Sequence, residues 1–317
     1  MGEQRKRLLV TGASGFLGSR IVAFYRRQVR LPTDENGAEN APFIGSEEIA
    51  SCKAHYRDRY DVYAPSHKEM EITDRESVEQ AFCRFRPDYV AHCAAVSDVE
   101  ACEKEPERSR KINVDGSRNI AEASARYHAK CLIASSDQVY FGSHKKEPHR
   151  EDEALYPQNV YGREKLRAEE ECLDVNPECV LLRLSWMYDV RTVREKEHGD
   201  FFRTLALKRK ALEPLKYPVY DRRGITDVNE VVGNLEKAFV LRGGVYNFSS
   251  PNDRNTYETV RALFEALEWD TVGLVKNEES FAGEPRNISM DLGKIQEQGI
   301  FFRPTLRALI ENCRLYV

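Results

Sequence analysis

Thr11-Gly12-Ala13-Ser14-Gly15-Phe16-Leu17-Gly18 follows directly on the apolar run Leu8-Leu9-Val10. A strand that turns on glycines into an apolar helix admits few folds. The helix N-terminus offers unpaired N–H groups and a partial positive charge, which together suit a pyrophosphate. A Cβ in such a turn blocks the approach of backbone to phosphate, or of helix to strand. The spacing is Gly-x-x-Gly-x-x-Gly rather than the commoner Gly-x-Gly-x-x-Gly, so the flanks carry the reading. A strand stands before the turn. After it, Phe16, Leu17, Ile21, Val22 and Tyr25 recur on a roughly 3.6-residue period.

Strand-like runs alternate with helical patterns through the first 185 residues. The strands read as Arg7–Val10, Asp61–Ala64, Tyr89–His92, Lys130–Ala134 and Cys179–Leu184, and the helices as 16–27, 75–86, 113–127 and 161–173. That alternation predicts an α/β fold, a Rossmann-type doubly wound parallel sheet. Residues 1–185 form the dinucleotide-binding domain, and stretches near Pro218–Tyr220 and Gly244–Phe248 return to its sheet. Residues 186–216 and 251–317 form a small C-terminal α/β substrate-binding cap, with a helix at 255–268, a strand near 272–276 and a last helix at 304–314. About thirty residues, 28–58, read as an exposed insertion, with a polar helix over 46–59 and an interaction arm as one possible role.

The 48 basic and 52 acidic side chains nearly balance, and they form no long basic run, so nucleic acid is not an expected partner. No apolar run approaches the ~20 residues of a membrane span. A strand within ten residues of Met1 leaves no room for a signal peptide, and a cytoplasmic location is expected. The eight cysteines lie scattered without a Cys-x-x-Cys pair, and read as small apolar fillers rather than metal ligands.

Tyr161-Gly162-Arg163-Glu164-Lys165 places a phenol and an ammonium four apart, on one helix face. A lysine beside a phenol favours phenolate and lowers the tyrosine pKa from its usual ~10. Such a tyrosine passes a proton to or from an alcohol. Upstream, Cys131-Leu132-Ile133-Ala134 reads as a buried strand ending in Ser135-Ser136-Asp137, which puts a hydroxyl at the carboxyl edge where open α/β sheets bind ligands. Asn113 is either a helix-start cap or a polar relay that holds Lys165, directly or through water.

These segments resemble the extended short-chain dehydrogenase/reductases, and within them the dTDP-4-dehydrorhamnose reductase family. The resemblance runs nearly end to end, apart from 28–58. It rests on Leu9–Gly18, Glu71-Ile72-Thr73-Asp74, Arg86-Pro87-Asp88-Tyr89-Val90, Cys93-Ala94-Ala95 and Ser135-Ser136-Asp137-Gln138-Val139-Tyr140-Phe141-Gly142, and continues through Asn159–Lys165, Leu182–Tyr188 and Pro285-Arg286-Asn287. It implies that Tyr161 is the general acid in ketone reduction. Lys165 tunes it and holds the nicotinamide ribose, Ser136 polarises the ketone oxygen, and Asn113 completes the set. Gly12, Ser14, Gly15, Phe16, Leu17 and Gly18 line the pyrophosphate. Ser66, His67, Ile72, Cys93, Ala94 and Ala95 lie along the rest of the dinucleotide. Val96, Ser97, Asp137, Trp186 and Arg286 face the sugar nucleotide. Trp186 reads equally as core packing, and Arg286 as a salt bridge or as a fork for a diphosphate. The chain departs from the family at Cys93, where an asparagine is usual, at Asp200-Phe201, and at Gly224-Ile225-Thr226-Asp227, a shortened Gly-x-Pro-Thr segment.

Pro65-Ser66-His67-Lys68 after the second strand offers a hydroxyl and a cation without a carboxylate, which favours NADP(H) over NAD(H). The implied function is NADPH-dependent reduction of the 4-keto group of a nucleotide-activated deoxysugar, by a monomer or homodimer. The alternatives are a nucleotide-sugar epimerase or dehydratase, and a non-catalytic regulatory subunit like that of methionine adenosyltransferase.

Overall fold

A computed structural model describes residues 5–26, 59–191 and 200–316. The insertion 28–58 lies outside the described residues, as do the polar helix expected over 46–59 apart from Arg59 and most of the charged loop 189–199.

Five strands precede residue 185: β1 (Lys6–Thr11), β2 (Tyr60–Tyr63), β3 (Tyr89–His92), β4 (Lys130–Ser136) and β5 (Val180–Leu184). With the strand Gly244–Phe248 they form one six-stranded sheet, in the order Gly244–Phe248, β5, β4, β3, β1, β2. Every pairing in it is parallel. The residue pattern explains why both faces are covered. Successive residues of a strand point to opposite faces. Leu8, Val10 and Leu182 therefore join one apolar cluster with Ile21, Val231 and Phe248, while Leu9 and Leu181 join another with Phe82, Val90 and Ile120. Burying each such side chain contributes about 1.5–3 kcal/mol before entropy is counted.

Strand order reverses between β1 and β3, the point at which open α/β sheets form a ligand crevice. Helix α1 (Phe16–Tyr25) starts there. On the other side of the crevice the helix Val160–Val175 rises after β4, its N-terminus capped by Asn159, which accepts from Gly162 N at 2.6 Å.

The Gly244–Phe248 stretch does return to the main sheet. The stretch expected near Pro218–Tyr220 does not: Leu215–Pro218 pairs with Leu274–Asn277. Its alternate inward residues, Leu215 and Tyr217, pack instead with Phe201, Leu263 and Phe264 in a third apolar cluster. Two further short pairs, Trp186–Tyr188 with Ile225–Asp227 and Asp221–Arg222 with Arg286–Asn287, bring the later segments over the carboxyl edge. No helix among the described residues is long and apolar enough to cross a membrane.

Candidate active site

The turn after β1 is built against the turn after β3. Gly12 has φ +65°, and a Cβ there would sit 2.6 Å from Cys93 C and Ala94 N. Only glycine accepts both that conformation and that proximity. Thr11 Oγ1 accepts from Cys93 N and Ala94 N at 3.2 and 3.3 Å. Its own proton is then free for His92 Nδ1, 2.7 Å away, and the far ring nitrogen lies 3.0 Å from Ser117 Oγ, which donates to Asn113 O. We assign the ring proton to Nε2 on that pattern. Burial, with the Lys165 charge second, pushes the His92 pKa down to about 3, so the ring is a neutral strut. Gly15 caps α1 without a side-chain hydrogen bond, which leaves the first N–H groups of the helix to a ligand. A pyrophosphate fits this cradle.

Ser136 ends β4 and accepts from Gln138 N at 3.2 Å. Tyr161 and Lys165 lie one turn apart on the opposing helix, both buried. Lys165 Nζ donates to Ala134 O at 2.8 Å and stands 5.7 Å from the Tyr161 ring centre. The expectation that the ammonium lowers the tyrosine pKa fails for this form of the protein. Burial carries the phenol above its ordinary value, and the hydrogen bond with Ser136 offsets only part of that. Burial also lowers the Lys165 pKa. The hydrogen bond of the ammonium goes to a backbone carbonyl, which leaves the phenol its charge at a distance rather than a direct bond.

Asn113 is not a helix-start cap, and its side chain is held by residues other than Lys165. It lies within a π-helical turn, Lys111–Gly116. Its Oδ1 accepts from Val96 N at 2.8 Å, and its Nδ2 donates to Val96 O at 3.0 Å and to Glu164 Oε2 at 2.7 Å. It therefore clamps the loop after β3 to the helix that carries Tyr161 and Lys165.

A cavity of about 380 Å³ opens between these elements. Gly15, Phe16, Leu17, Cys93 and Ala95 line it from the glycine side, and Ser97, Ser136, Asp137, Tyr161, Lys165 and Trp186 from the other. Other expected residues lie elsewhere. Gly12, Gly18 and Ala94 shape the turns, Ser14 is exposed, Val96 is held by Asn113, and Ile72 is buried against Gly116. Ser66 and His67 lie exposed beyond β2. The sequence reading found no carboxylate there, yet Glu69 folds back, and its Oε2 accepts from both Ser66 N and Ser66 Oγ at 2.8 Å. Arg286 is not a free fork. Its Nε pairs with the buried Asp221 at 2.7 Å, and its guanidinium lies 4.1 Å from the Phe281 ring centre. Beside Lys165, a second cation lines the cavity, Arg223, which sequence reasoning missed. Its one signal was position, beside the shortened Gly224–Asp227 segment. Burial pushes the Cys93 thiol up to about 12, so it stays protonated as a small apolar wall. Among the described residues, no group of three His, Cys, Asp or Glu side chains is placed to hold a metal ion.

The family model described as the RmlD substrate binding domain matches residues 43–314. Among relatives, the chain is 28% identical to dTDP-4-dehydrorhamnose reductase of Aggregatibacter actinomycetemcomitans, over 98% of this chain and 99% of that protein. It is 27% identical to methionine adenosyltransferase 2 subunit beta of Pongo abelii, over 97% of this chain and 86% of that one. Among solved structures, dTDP-4-dehydrorhamnose reductase from Bacillus anthracis in complex with NADP shares the fold, with a TM-score of 0.78, 22% identity and coverage of 99% and 100%.

Proposed function

The chain belongs to the RmlD substrate binding domain family, and from that premise we propose that it reduces the 4-keto group of a nucleotide-activated deoxysugar. The single observation that carries this reading is the shared cavity, in which Ser136, Tyr161 and Lys165 face the glycine turn across one space. Residues 1–185 would hold the dinucleotide, and the segments 186–216 and 251–317 the sugar.

A reduced nicotinamide dinucleotide supplies the hydride when bound. Gly12, Gly15, Gly18 and the open N-terminus of α1 would hold its pyrophosphate. We propose NADP(H), with NAD(H) as the second choice. Ser66 and Lys68, on either side of His67, offer the hydroxyl and the cation for a 2′-phosphate, and the Bacillus anthracis relative is bound to NADP. Glu69 has to release Ser66 for that phosphate to enter.

The protein's own part is protonic. A buried tyrosine with a raised pKa is fully protonated near neutrality, which is the form a general acid needs. Tyr161 donates that proton to the carbonyl oxygen as the oxygen gains charge. Ser136 turns its one proton from Asp137 Oδ1 to the same oxygen, and two donors at a developing alkoxide lower the barrier by several kcal/mol. Lys165, one turn along, stabilises the phenolate left behind until solvent reprotonates it.

The test is loss of NADPH absorbance with dTDP-4-keto-6-deoxy-L-mannose, for wild type and Tyr161→Phe. The reading expects turnover that falls about 10²–10⁴-fold in the variant, with cofactor affinity retained. No turnover of this or a related keto sugar by wild type refutes it. A regulatory-subunit reading is favoured by one observation, the near full-length likeness to methionine adenosyltransferase 2 subunit beta. Stoichiometric co-purification with a methionine adenosyltransferase, without turnover, would support it.

A further inference from the structure

Arg223 lines the cavity and carries an unused donor buried just beneath its wall. Its Nη2 donates to Asp137 Oδ2 at 2.8 Å, and its guanidinium lies 5.4 Å from the centre of the Trp186 ring. The side chain is 12% exposed, and its Asp137 partner 1%. Nε is buried and has no acceptor among the described residues. A buried N–H without a partner is costly, and native structures keep few of them. The remaining edge of this guanidinium is therefore set for an oxygen that arrives with a ligand.

The position says which oxygen. Asp137 follows Ser136 directly, and Ser136 Oγ donates to Asp137 Oδ1 at 3.3 Å. The guanidinium is thus two hydrogen bonds from the hydroxyl assigned to the reacting carbonyl. That places the guanidinium beside the sugar ring and its first substituents rather than beside the nucleoside base. Asp137 and Trp186 fix the arginine from two sides, so little side-chain freedom is left to lose on binding.

We propose that Arg223 is a specificity-determining residue that donates from Nε to the oxygen substituent neighbouring the reacting carbonyl of the sugar ring. This rests on the reductase reading. A site built to hydrogen-bond a substrate hydroxyl discriminates strongly against an analogue that lacks it, because its own buried donor is then left unpaired. The ligand class is a keto sugar with a vicinal hydroxyl, as distinct from a deoxy sugar at that carbon.

The experiment compares the keto-sugar nucleotide with its analogue deoxygenated at the neighbouring carbon. Wild type is set against Arg223→Met, and against Arg223→Met/Asp137→Asn, which removes the charge left behind by the first change. Wild type is expected to prefer the hydroxylated substrate by about 10- to 100-fold in kcat/KM. In both variants the preference collapses to within about 3-fold, while NADPH affinity, the control for the fold, is unchanged. A preference that survives intact in the double variant overturns the proposal. Free dTDP supplies a second readout, titrated by protein fluorescence. If the variants lose dTDP affinity as much as sugar-nucleotide affinity, Arg223 serves the diphosphate and the proposal fails. If wild type turns over neither substrate, the reductase reading is what has failed. Affinity for the reduced, 4-hydroxy product and its deoxy analogue then tests Arg223 alone, with the same 10- to 100-fold preference expected in wild type and lost in the variants.

Discussion

Asn113→Ala separates a clamp from a relay. The substitution deletes one acceptor and two donors, at 2.8, 3.0 and 2.7 Å, in a residue with no exposed surface. Two of the bonds go to the Val96 backbone, each worth about 1 kcal/mol net, and the third to a carboxylate, worth about 1.5–3 kcal/mol. The Val96 N–H loses its side-chain acceptor, and Glu164, 6% exposed, retains Ser109. The expected loss is about 3–5 kcal/mol, a large part of a usual total of about 5–15 kcal/mol. Urea denaturation at pH 7 measures it. Asn113→Asp sharpens the test, because it keeps the acceptor for Val96 N but sets a second carboxyl against Glu164. Two such groups resist joint ionisation, so the folded-state pKa of the new acid lies above its unfolded value. Its penalty is therefore absent below the usual carboxylate range, and grows as pH rises through it. Asn113→Asp should lose more stability at pH 8 than at pH 4.5. A loss under about 1 kcal/mol in both variants, together with a displaced pH profile for Lys165-dependent catalysis, would refute the clamp and restore the relay.

Three further outcomes follow from the same geometry. In Gly18→Ala the new Cβ meets Gly12 O at 2.3 Å, so α1 must shift; about 1–3 kcal/mol of stability and most NADPH affinity should be lost, read by denaturation and by quenching of protein fluorescence. His92 has its pKa lowered to about 3, below the unfolded value near 6.5, so its neutral form stabilises the fold above pH 6.5 and that contribution fades towards pH 3; the stability–pH slope over that window should flatten in His92→Gln. Arg286→Ala strips the buried Asp221 of its guanidinium, and should cost about 2–4 kcal/mol while the KM for sugar nucleotide changes less than about 3-fold, read by calorimetry and initial rates.

The sequence revealed what short-range rules govern. The apolar run Leu8-Leu9-Val10, the glycine turn and the i, i+4 pair Tyr161/Lys165 depend on neighbours within a few positions, and β3 is Tyr89–His92 as the pattern predicts. It hid what depends on distant partners. Whether Arg286 or Arg223 is available to a ligand is decided by which of them meets Asp221 and which meets Asp137, 86 positions away in the second case. Thr11 and His92 look like ordinary strand-end residues until the sheet order sets β1 beside β3. Asn113 drew attention for the right neighbourhood, but its direct partners Val96 and Glu164 are set by a π-helical turn that no short pattern announces. The tyrosine pKa argument counted an ammonium on the same face but could not count burial, the larger effect here.

The central claim is that hydride reaches a sugar carbonyl held between Ser136 and Tyr161. A single turnover with NADPH deuterated at the transferred position of nicotinamide C4, followed by mass spectrometry of the product, tests it most directly. One deuterium on sugar C4, lost together with turnover in Tyr161→Phe, is the predicted result; a product without deuterium, or label transfer that is insensitive to Tyr161, contradicts it.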